Sequence, residues 1–138
     1  MKKIFGVAIL SATFFLTNSV FANSCWKTIG DEGEDKGKAK SYVELDEAAG
    51  TGTIKKLLTD PTAKCTACKG SKKNKPIQGM QIISGMKMGD KAGSILDPKS
   101  GKTYKLKIWK EGGNLKVRGY LGFFYRTQTW LPAEGNCN

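Results

Sequence analysis

Four cysteines are the residues of this sequence whose type and spacing best suit chemistry: Cys25, Cys65, Cys68 and Cys137. The central two form a C-x-x-C motif, whose thiols can pair with each other, work as a redox centre or contribute to a zinc site. Zinc would need two further ligands, and because the sequence has no histidine, the outer two cysteines would have to supply them. A redox pair is usually activated by the N-terminus of a helix, whereas Gly70 and the lysines around it are typical of a loop. We therefore predict structural disulfides, for which four cysteines allow three connectivities.

Methionine and aromatic side chains are the candidates for contacting an apolar ligand. Three of the four methionines fall in one short stretch, where flexible thioethers suit either an adaptable pocket wall or ordinary core filling. The aromatic residues at 123–125 follow a glycine, and three consecutive side chains of a strand cannot all point inward. They either plug one end of the fold or form a rim that meets ligand or lipid. The candidate ligand-binding residues are Met80, Met86, Met88, Tyr104, Phe123, Phe124 and Tyr125.

The sequence offers little for catalysis. It contains no histidine that could serve as a base or a metal ligand. Serine–lysine pairs or paired carboxylates are conceivable, but no spacing singles out one pair. The residues considered for such roles are Ser41, Ser84, Asp31, Asp46 and Asp97. We predict that the protein is not an enzyme and has neither a cofactor nor a metal site.

The elements that must position these residues are predicted to be short β-strands. Apolar and polar residues alternate, so that Val43 and Leu45 share one face and Tyr104, Leu106 and Ile108 share another. Predicted strands cover 41–46, 51–58, 77–83, 103–110, 115–121 and 126–131, with turns at 48–50, 97–101 and 111–114, and a long exposed loop covers 60–76. A single helical turn is expected near the amino end. Seven or eight strands at this spacing predict an all-β fold, either an antiparallel up-and-down barrel or a sandwich.

Residues 1–22 have the pattern of a secretory signal peptide. Lys2 and Lys3 give it a positive start, an apolar run follows, and Val20 and Ala22 suit the positions that a signal peptidase reads. The apolar run is shorter than the roughly 20 residues of a membrane-spanning helix. We therefore predict cleavage after Ala22, a single mature domain at 23–138 that does not span a membrane, and a location outside the cytoplasm.

The chain is strongly basic. It carries 23 lysines and arginines against 12 acidic residues, a formal charge of +11. Loss of Lys2 and Lys3 on cleavage leaves 21 basic side chains against 12, or +9. Export argues against a nucleic-acid partner and favours anionic components of the cell envelope, such as lipid head groups or acidic polysaccharide. The alternative is a solvated surface that the charge keeps soluble.

Several segments together resemble a family of exported bacterial proteins catalogued as a domain of unknown function. The first is Trp26-x-Thr28-x-Gly30-Asp31, which is similar to the family's W-x-T-x-D-D opening with glycine in place of the first aspartate. The others are the C-x-x-C motif and the segments at 75–79, 95–104, 115–122 and 126–130. The resemblance implies a periplasmic or secreted, lipocalin-like, antiparallel up-and-down β-barrel of about seven or eight strands.

The resemblance also implies roles for particular residues. In such barrels a tryptophan on the first strand packs under a basic side chain from the last strands, which pairs Trp26 with Arg118 or Arg126 at one end. Trp130 is expected to join this barrel-end packing. Together with the barrel pattern, the resemblance favours a protein that holds a small apolar or amphipathic ligand. The alternative is a structural or interaction protein of the envelope that contacts anionic components through its basic surface.

Overall fold

Eight antiparallel strands close into a barrel in the computed structural model, which describes residues 6–14, 23–135, 137 and 138. Each strand pairs with the next along the chain, and the last pairs with the first. The strands are β1 Ser24–Ile29, β2 Ala39–Asp46, β3 Thr51–Leu57, β4 Gln81–Ser84, β5 Lys91–Asp97, β6 Lys102–Glu111, β7 Asn114–Leu121 and β8 Phe124–Pro132. The predicted all-β class is confirmed, and of the two predicted architectures the barrel is the correct one.

Alternation of side chains fills the barrel. In β6, Leu106 and Ile108 are fully buried, while the lysines between and beside them lie on the outer face. In β7, Leu115 and Val117 are buried in the same way. Because successive residues of a strand point to opposite faces, these two strands each contribute one apolar row to the interior and one polar row to solvent.

The connections divide the barrel into two ends. The closed end holds the β2–β3, β4–β5 and β6–β7 connections, and the mouth holds the other four loops. At the closed end the β6–β7 turn consists of Gly112 and Gly113, whose φ angles of 59° and 83° suit the tight hairpin turn that matches strand twist. At the mouth the β1–β2 loop contains a short 3-10 helix, Gly33–Asp35, which fits the helical turn expected near the amino end.

Both cysteine pairs are disulfides, so none of the four thiols is available for zinc. The Cys25–Cys137 disulfide joins the first strand to the segment after the last strand, and it lies at the closed end of the barrel. The two Cα atoms are 5.4 Å apart. Cys65 and Cys68 pair within the C-x-x-C motif. The predicted disulfides are confirmed, and closure of the sheet is what brings the distant outer pair together.

The β3–β4 loop is longer than predicted, and part of it packs against the core. It was predicted as an exposed loop, and most of its side chains are exposed, yet Cys65 and Cys68 belong to the core. A second 3-10 turn, Gly70–Lys72, lies within it. The loop packs on the β5–β6 turn so closely that a methyl group added at Gly101 would overlap the carbonyl of Ala67. Strand β4 is therefore shorter than predicted, because residues 77–80, which were predicted to begin it, belong to this loop.

Part of the amino-terminal segment is described as well. Residues 6–14 have no regular secondary structure, and their large apolar side chains are exposed: Val7, Ile9, Leu10 and Phe14. The predicted cleavage site after Ala22 lies outside the described residues. In the part of the chain that the structure describes, no helix is long and apolar enough to cross a membrane.

Candidate functional site

A cavity of about 260 Å³ opens at the mouth of the barrel. Its deeper wall is apolar and comes from the five strands β4 to β8: Ile82, Ile95, Leu96, Tyr104, Val117 and Trp130. Its rim is charged and comes from the β1–β2 loop, β2, the β5–β6 turn and β8: Asp31, Glu32, Asp35, Lys40, Asp97, Lys99 and Arg126. An apolar wall below a polar rim is the arrangement that accepts an amphipathic molecule.

Alternate residues of β8 connect the apolar wall to the rim. The indole N–H of Trp130 donates to Gln128 Oε1 at 3.0 Å, and Gln128 Nε2 donates to Asp31 Oδ1 at 3.3 Å. Arg126 Nε lies 2.8 Å from Asp31 Oδ2, and its Nη1 donates to Glu32 Oε1 at 2.9 Å. We call these five residues the β8 ladder.

The β8 ladder lies where the barrel closes. Within β1 and β8 the register pairs Trp26 with Pro132 and Lys27 with Leu131. Nearer the mouth, contacts between the side chains of β8 and Asp31, two residues after the end of β1, continue this seam. Backbone pairing therefore holds the seam toward the closed end, and side chains hold it at the mouth.

Charge fixes Arg126 in its protonated form. Partial burial alone would lower the pKa of Arg126, but the negative charges of Asp31 and Glu32 outweigh it, and the pKa is raised. The guanidinium side chain is still 55% exposed, so its ion pairs contribute no more than about 1 kcal/mol to stability. Arg126 is thus a permanent cation that remains accessible at the rim.

The remaining carboxylates of the rim also have partners. Lys40 Nζ lies 3.2 Å from Asp35 Oδ2, and this hydrogen bond and positive charge lower the pKa of Asp35 below its ordinary value. Asp97 accepts hydrogen bonds from the backbone N–H of Lys99 at 3.0 Å and from the hydroxyl of Ser100 at 2.9 Å. These contacts hold the β1–β2 loop and the β5–β6 turn in position around the opening.

Tyr104 and Gly119 shape the wall together. A methyl group at Gly119 would lie 3.2 Å from Tyr104 Cβ, which is tighter than ordinary packing. The glycine therefore leaves space into which the tyrosine of the neighbouring strand fits. Tyr104 was predicted to contact a ligand, and the structure places it in the cavity wall.

The sequence model of a family described as "Uncharacterized protein conserved in bacteria (DUF2147)" matches residues 25–131. The chain belongs to this family. No curated protein and no solved structure matches it. The matched range of the DUF2147 domain runs from the first residues of β1 into β8, so every residue that lines the cavity falls within it.

The three methionines predicted to bind ligand lie elsewhere in the DUF2147 domain. Met80 and Met86 are buried in the core, and Met88 packs against it. The backbone N–H of Met86 donates to the carbonyl of Gly50, which places Met86 at the closed end. None of the three lines the cavity, and their positions fit ordinary core filling, one of the two roles that the sequence left open.

The aromatic run lies outside the cavity lining too. Phe123 is fully exposed, Phe124 is 81% exposed and Tyr125 is 61% exposed. They form the β7–β8 hairpin, which stands at the mouth, and β8 begins at Phe124 rather than at the predicted residue 126. Their exposure does not fit a plug of the barrel end, and the other predicted role, a rim that meets ligand or lipid, stays a prediction.

The barrel-end packing differs from the expected pairing. Trp26 is buried and its indole N–H donates to Ser24 Oγ at 2.9 Å, whereas Arg118 stacks over Trp109 and Tyr125. The predicted Trp26–arginine pair is wrong, because Arg118 follows buried Val117 and so points to the outer face. Arg126 pairs with the acidic residues of the β8 ladder instead.

Trp130, the remaining barrel-end residue, is buried and lines the cavity. Sequence reasoning missed its connection to Asp31 through Gln128. A signal was present, because Arg126, Gln128 and Trp130 are spaced by two residues, which places all three on one face of a strand. The sequence alone does not show that this face points into the barrel, because that depends on the closure of β8 on β1.

Proposed function

We propose that this DUF2147 protein is exported from the cytoplasm and binds a small amphipathic molecule in the cavity at the barrel mouth. The observation that carries the proposal is the cavity itself, with its apolar wall and its charged rim. The apolar part of the ligand packs between Tyr104, Val117 and Trp130, and its polar group meets the rim near Arg126.

The size of the cavity supports a small ligand. About 260 Å³ is far more than the roughly 10–15 Å³ that one water molecule needs. It lies just below the roughly 300 Å³ at which pockets for drug-sized ligands begin. A ligand therefore either is small or inserts one segment and leaves the rest at the rim.

Two disulfides support export. Disulfides persist in oxidising compartments and are rare in the cytoplasm, and both cysteine pairs of this chain are joined. The signal-peptide pattern of residues 1–22 supports the same location.

The proposed role is binding without catalysis. Asp31 and Glu32 pair with Arg126, Asp35 pairs with Lys40, and Asp97 accepts hydrogen bonds from its own turn. Carboxylates engaged in this way are suited to holding loops in position. A general acid or base would instead need a pKa matched to its task and a free path to substrate.

A titration with anilinonaphthalene sulfonate, a fluorophore with apolar rings and one anionic group, tests the proposal. We expect saturable binding at one site per chain, and binding at least tenfold weaker (about 1.4 kcal/mol) in the Val117→Phe variant, whose added ring enters the cavity. Ile95→Phe tests the same cavity from β5. Thr103→Phe, which adds a ring to the exposed face of β6, is the matched control and should bind like wild type.

The outcome that would sink the proposal is equal binding by wild type, Val117→Phe and Ile95→Phe. Circular dichroism and thermal unfolding of each variant ensure that the comparison is made between folded proteins. Because two substitutions on different strands are used, failure of one variant to fold leaves the other to decide.

A second candidate function is contact with an anionic envelope component through the outer surface. The observation favouring it is the outer face of β6 and β7, where Lys107 and Arg118 stack with Trp109 at 5.6 Å and 5.0 Å from the ring centroid. The two functions are compatible, because one uses the inside of the barrel and the other its outside.

A further inference from the structure

The β7–β8 hairpin exposes an apolar patch of the barrel to solvent. Leu121, Phe123, Phe124 and Tyr125 are each more than half exposed. Within residues 23–135, no other large apolar side chain reaches half exposure. Exposing these rings is costly in water, at roughly 1.5–3 kcal/mol for a large side chain that could otherwise be buried. A patch of this kind marks a surface that meets an apolar phase or a partner.

Cationic side chains surround the base of this hairpin. The Arg118 guanidinium lies 4.3 Å from the centre of the Tyr125 ring, and Lys91 Nζ lies 4.0 Å from that of Tyr120. The rings of Tyr120 and Tyr125 are themselves neighbours, 5.9 Å apart. Apolar rings at a tip with cations behind them are the arrangement of protein segments that lie in the interface of an anionic bilayer.

The β3–β4 loop brings further positive charge to the same end. It carries five lysines and one aspartate between residues 58 and 80, and its lysine-rich part is exposed. It packs against the β5–β6 turn, which adds Lys99. Each positively charged side chain near an anionic surface contributes about 1 kcal/mol to binding.

We propose that the β7–β8 hairpin is a membrane-interface anchor that docks the mouth of the barrel on an anionic phospholipid bilayer. Phe123 and Phe124 enter the interfacial layer, and Arg118 and the lysines of the β3–β4 loop face the phosphates. Charge complementarity favours this occupant over a second copy of the chain. In a dimer formed through the hairpin, Arg118 and the lysines of one copy would face the same positively charged side chains of the other.

Docking in this orientation turns the cavity opening toward the lipid. The docking itself stands without the ligand-binding proposal, whereas exchange of a ligand between bilayer and cavity rests on it. An amphipathic molecule could then pass between the two without crossing bulk water. The charged rim and the exposed rings, which lie at the same end of the barrel, would then both serve ligand exchange with the bilayer.

Vesicle co-sedimentation tests the anchor. The protein is used in the form that accumulates in the producing cells, and mass spectrometry determines its amino terminus. We expect binding to vesicles of phosphatidylethanolamine and phosphatidylglycerol, weak binding to phosphatidylcholine vesicles, and loss of binding as salt is raised. The Phe123→Ser/Phe124→Ser double variant should bind at least about tenfold more weakly, since two large apolar groups no longer enter the interface. Leu131→Ser, an exposed apolar residue on β8 at the closed end, is the control and should bind like wild type.

A second measurement reports on the hairpin directly. Phe123→Trp adds an indole whose emission brominated lipids should quench in anionic vesicles beyond the quenching seen for wild type. Unchanged sedimentation of the double variant, or absence of added quenching, would overturn the anchor. Binding that is equal on neutral vesicles would overturn the anionic partner, and self-association lost in the double variant without vesicle binding would assign the patch to a second copy. Val117→Phe should keep vesicle binding while losing the cavity ligand, so failure of one proposal is distinguishable from failure of the other.

Discussion

The two ends of this barrel are built by different means. The closed end combines tight turns, buried Met86 and the Cys25–Cys137 disulfide. The mouth combines the two longest loops, ion pairs between exposed side chains, a cavity and the exposed aromatic hairpin. Interactions at the closed end stabilise the fold strongly, whereas those at the mouth stabilise it weakly and leave groups free to contact other molecules. We therefore expect stability and binding to be separated along the barrel axis.

The largest expected effect comes from opening the disulfide at the closed end. Cys25 and Cys137 are separated by 112 residues, so in the chain-entropy account their bond lowers the free energy of the folded state relative to the unfolded one by about 5 kcal/mol. The Cys25→Ser/Cys137→Ser variant should lose about that much in urea unfolding. Binding at the cavity should change little in the fraction that remains folded.

The disulfide at the mouth is the matched control. Cys65 and Cys68 are separated by 3 residues, and the same relation gives about 2 kcal/mol for a loop this short. Equal losses in the two double serine variants would contradict the separation of stability between the two ends.

A smaller effect separates buried from exposed apolar side chains at the two ends. Leu115 is fully buried beside the β6–β7 turn, and Leu115→Ala should lower the free energy of unfolding by about 2–5 kcal/mol. Phe123 is fully exposed in the hairpin, and Phe123→Ala should stay within about 0.5 kcal/mol of wild type. Thermal unfolding with matched baselines measures both. A large loss on truncating Phe123 would mean that the hairpin packs on the barrel in solution.

The β8 ladder should contribute less to stability than buried Leu115 does. Arg126→Gln removes ion pairs of an exposed side chain, so the free energy of unfolding should fall by no more than about 1 kcal/mol. The change should instead be local, with faster amide hydrogen exchange at Thr28 and Ile29, where β1 relies on side chains to meet β8. Uniform exchange changes across all eight strands would show that the ladder supports the whole barrel. Because Arg126 stays protonated at neutral pH, this contribution should not vary with pH near 7.

The smallest effect concerns acid. The pKa of Asp35 is lowered by its hydrogen bond and ion pair with Lys40, so the contribution of this pair is present above the ordinary carboxyl pKa of 3.8 and is lost as the pH falls below it. Carboxyl resonances followed by NMR should show Asp35 titrating below 3.8, and titrating closer to it in Lys40→Ala. An unchanged titration in that variant would remove Lys40 as the cause.

Local pattern predicted much of this fold. Alternation located β2, β6 and β7 to within a few residues, and glycine placed the turn at 112–113, because both signals depend on neighbours in sequence. The start of β8 was missed, since Phe124 and Tyr125 are exposed and give no alternation. Strand β4 was predicted to begin too early, because residues 77–80 belong to the packed β3–β4 loop.

The site was less predictable than the fold. Tyr104 was the one predicted ligand residue that lines the cavity, whereas the methionines proved to be core. Contact of Asp31 with Arg126 and Gln128 joins residues nearly a hundred positions apart, and it exists only because β8 closes on β1. Such contacts follow from barrel closure, which no local pattern encodes.

Native mass spectrometry of protein taken gently from its own cells shows whether the cavity holds a ligand. We expect an additional small mass bound one to one in wild type and in the Thr103→Phe control. The same mass should be absent from Val117→Phe and Ile95→Phe, in which the cavity is filled. A bare chain in wild type, with anilinonaphthalene sulfonate binding that is equal in all four proteins, would contradict ligand binding in the cavity.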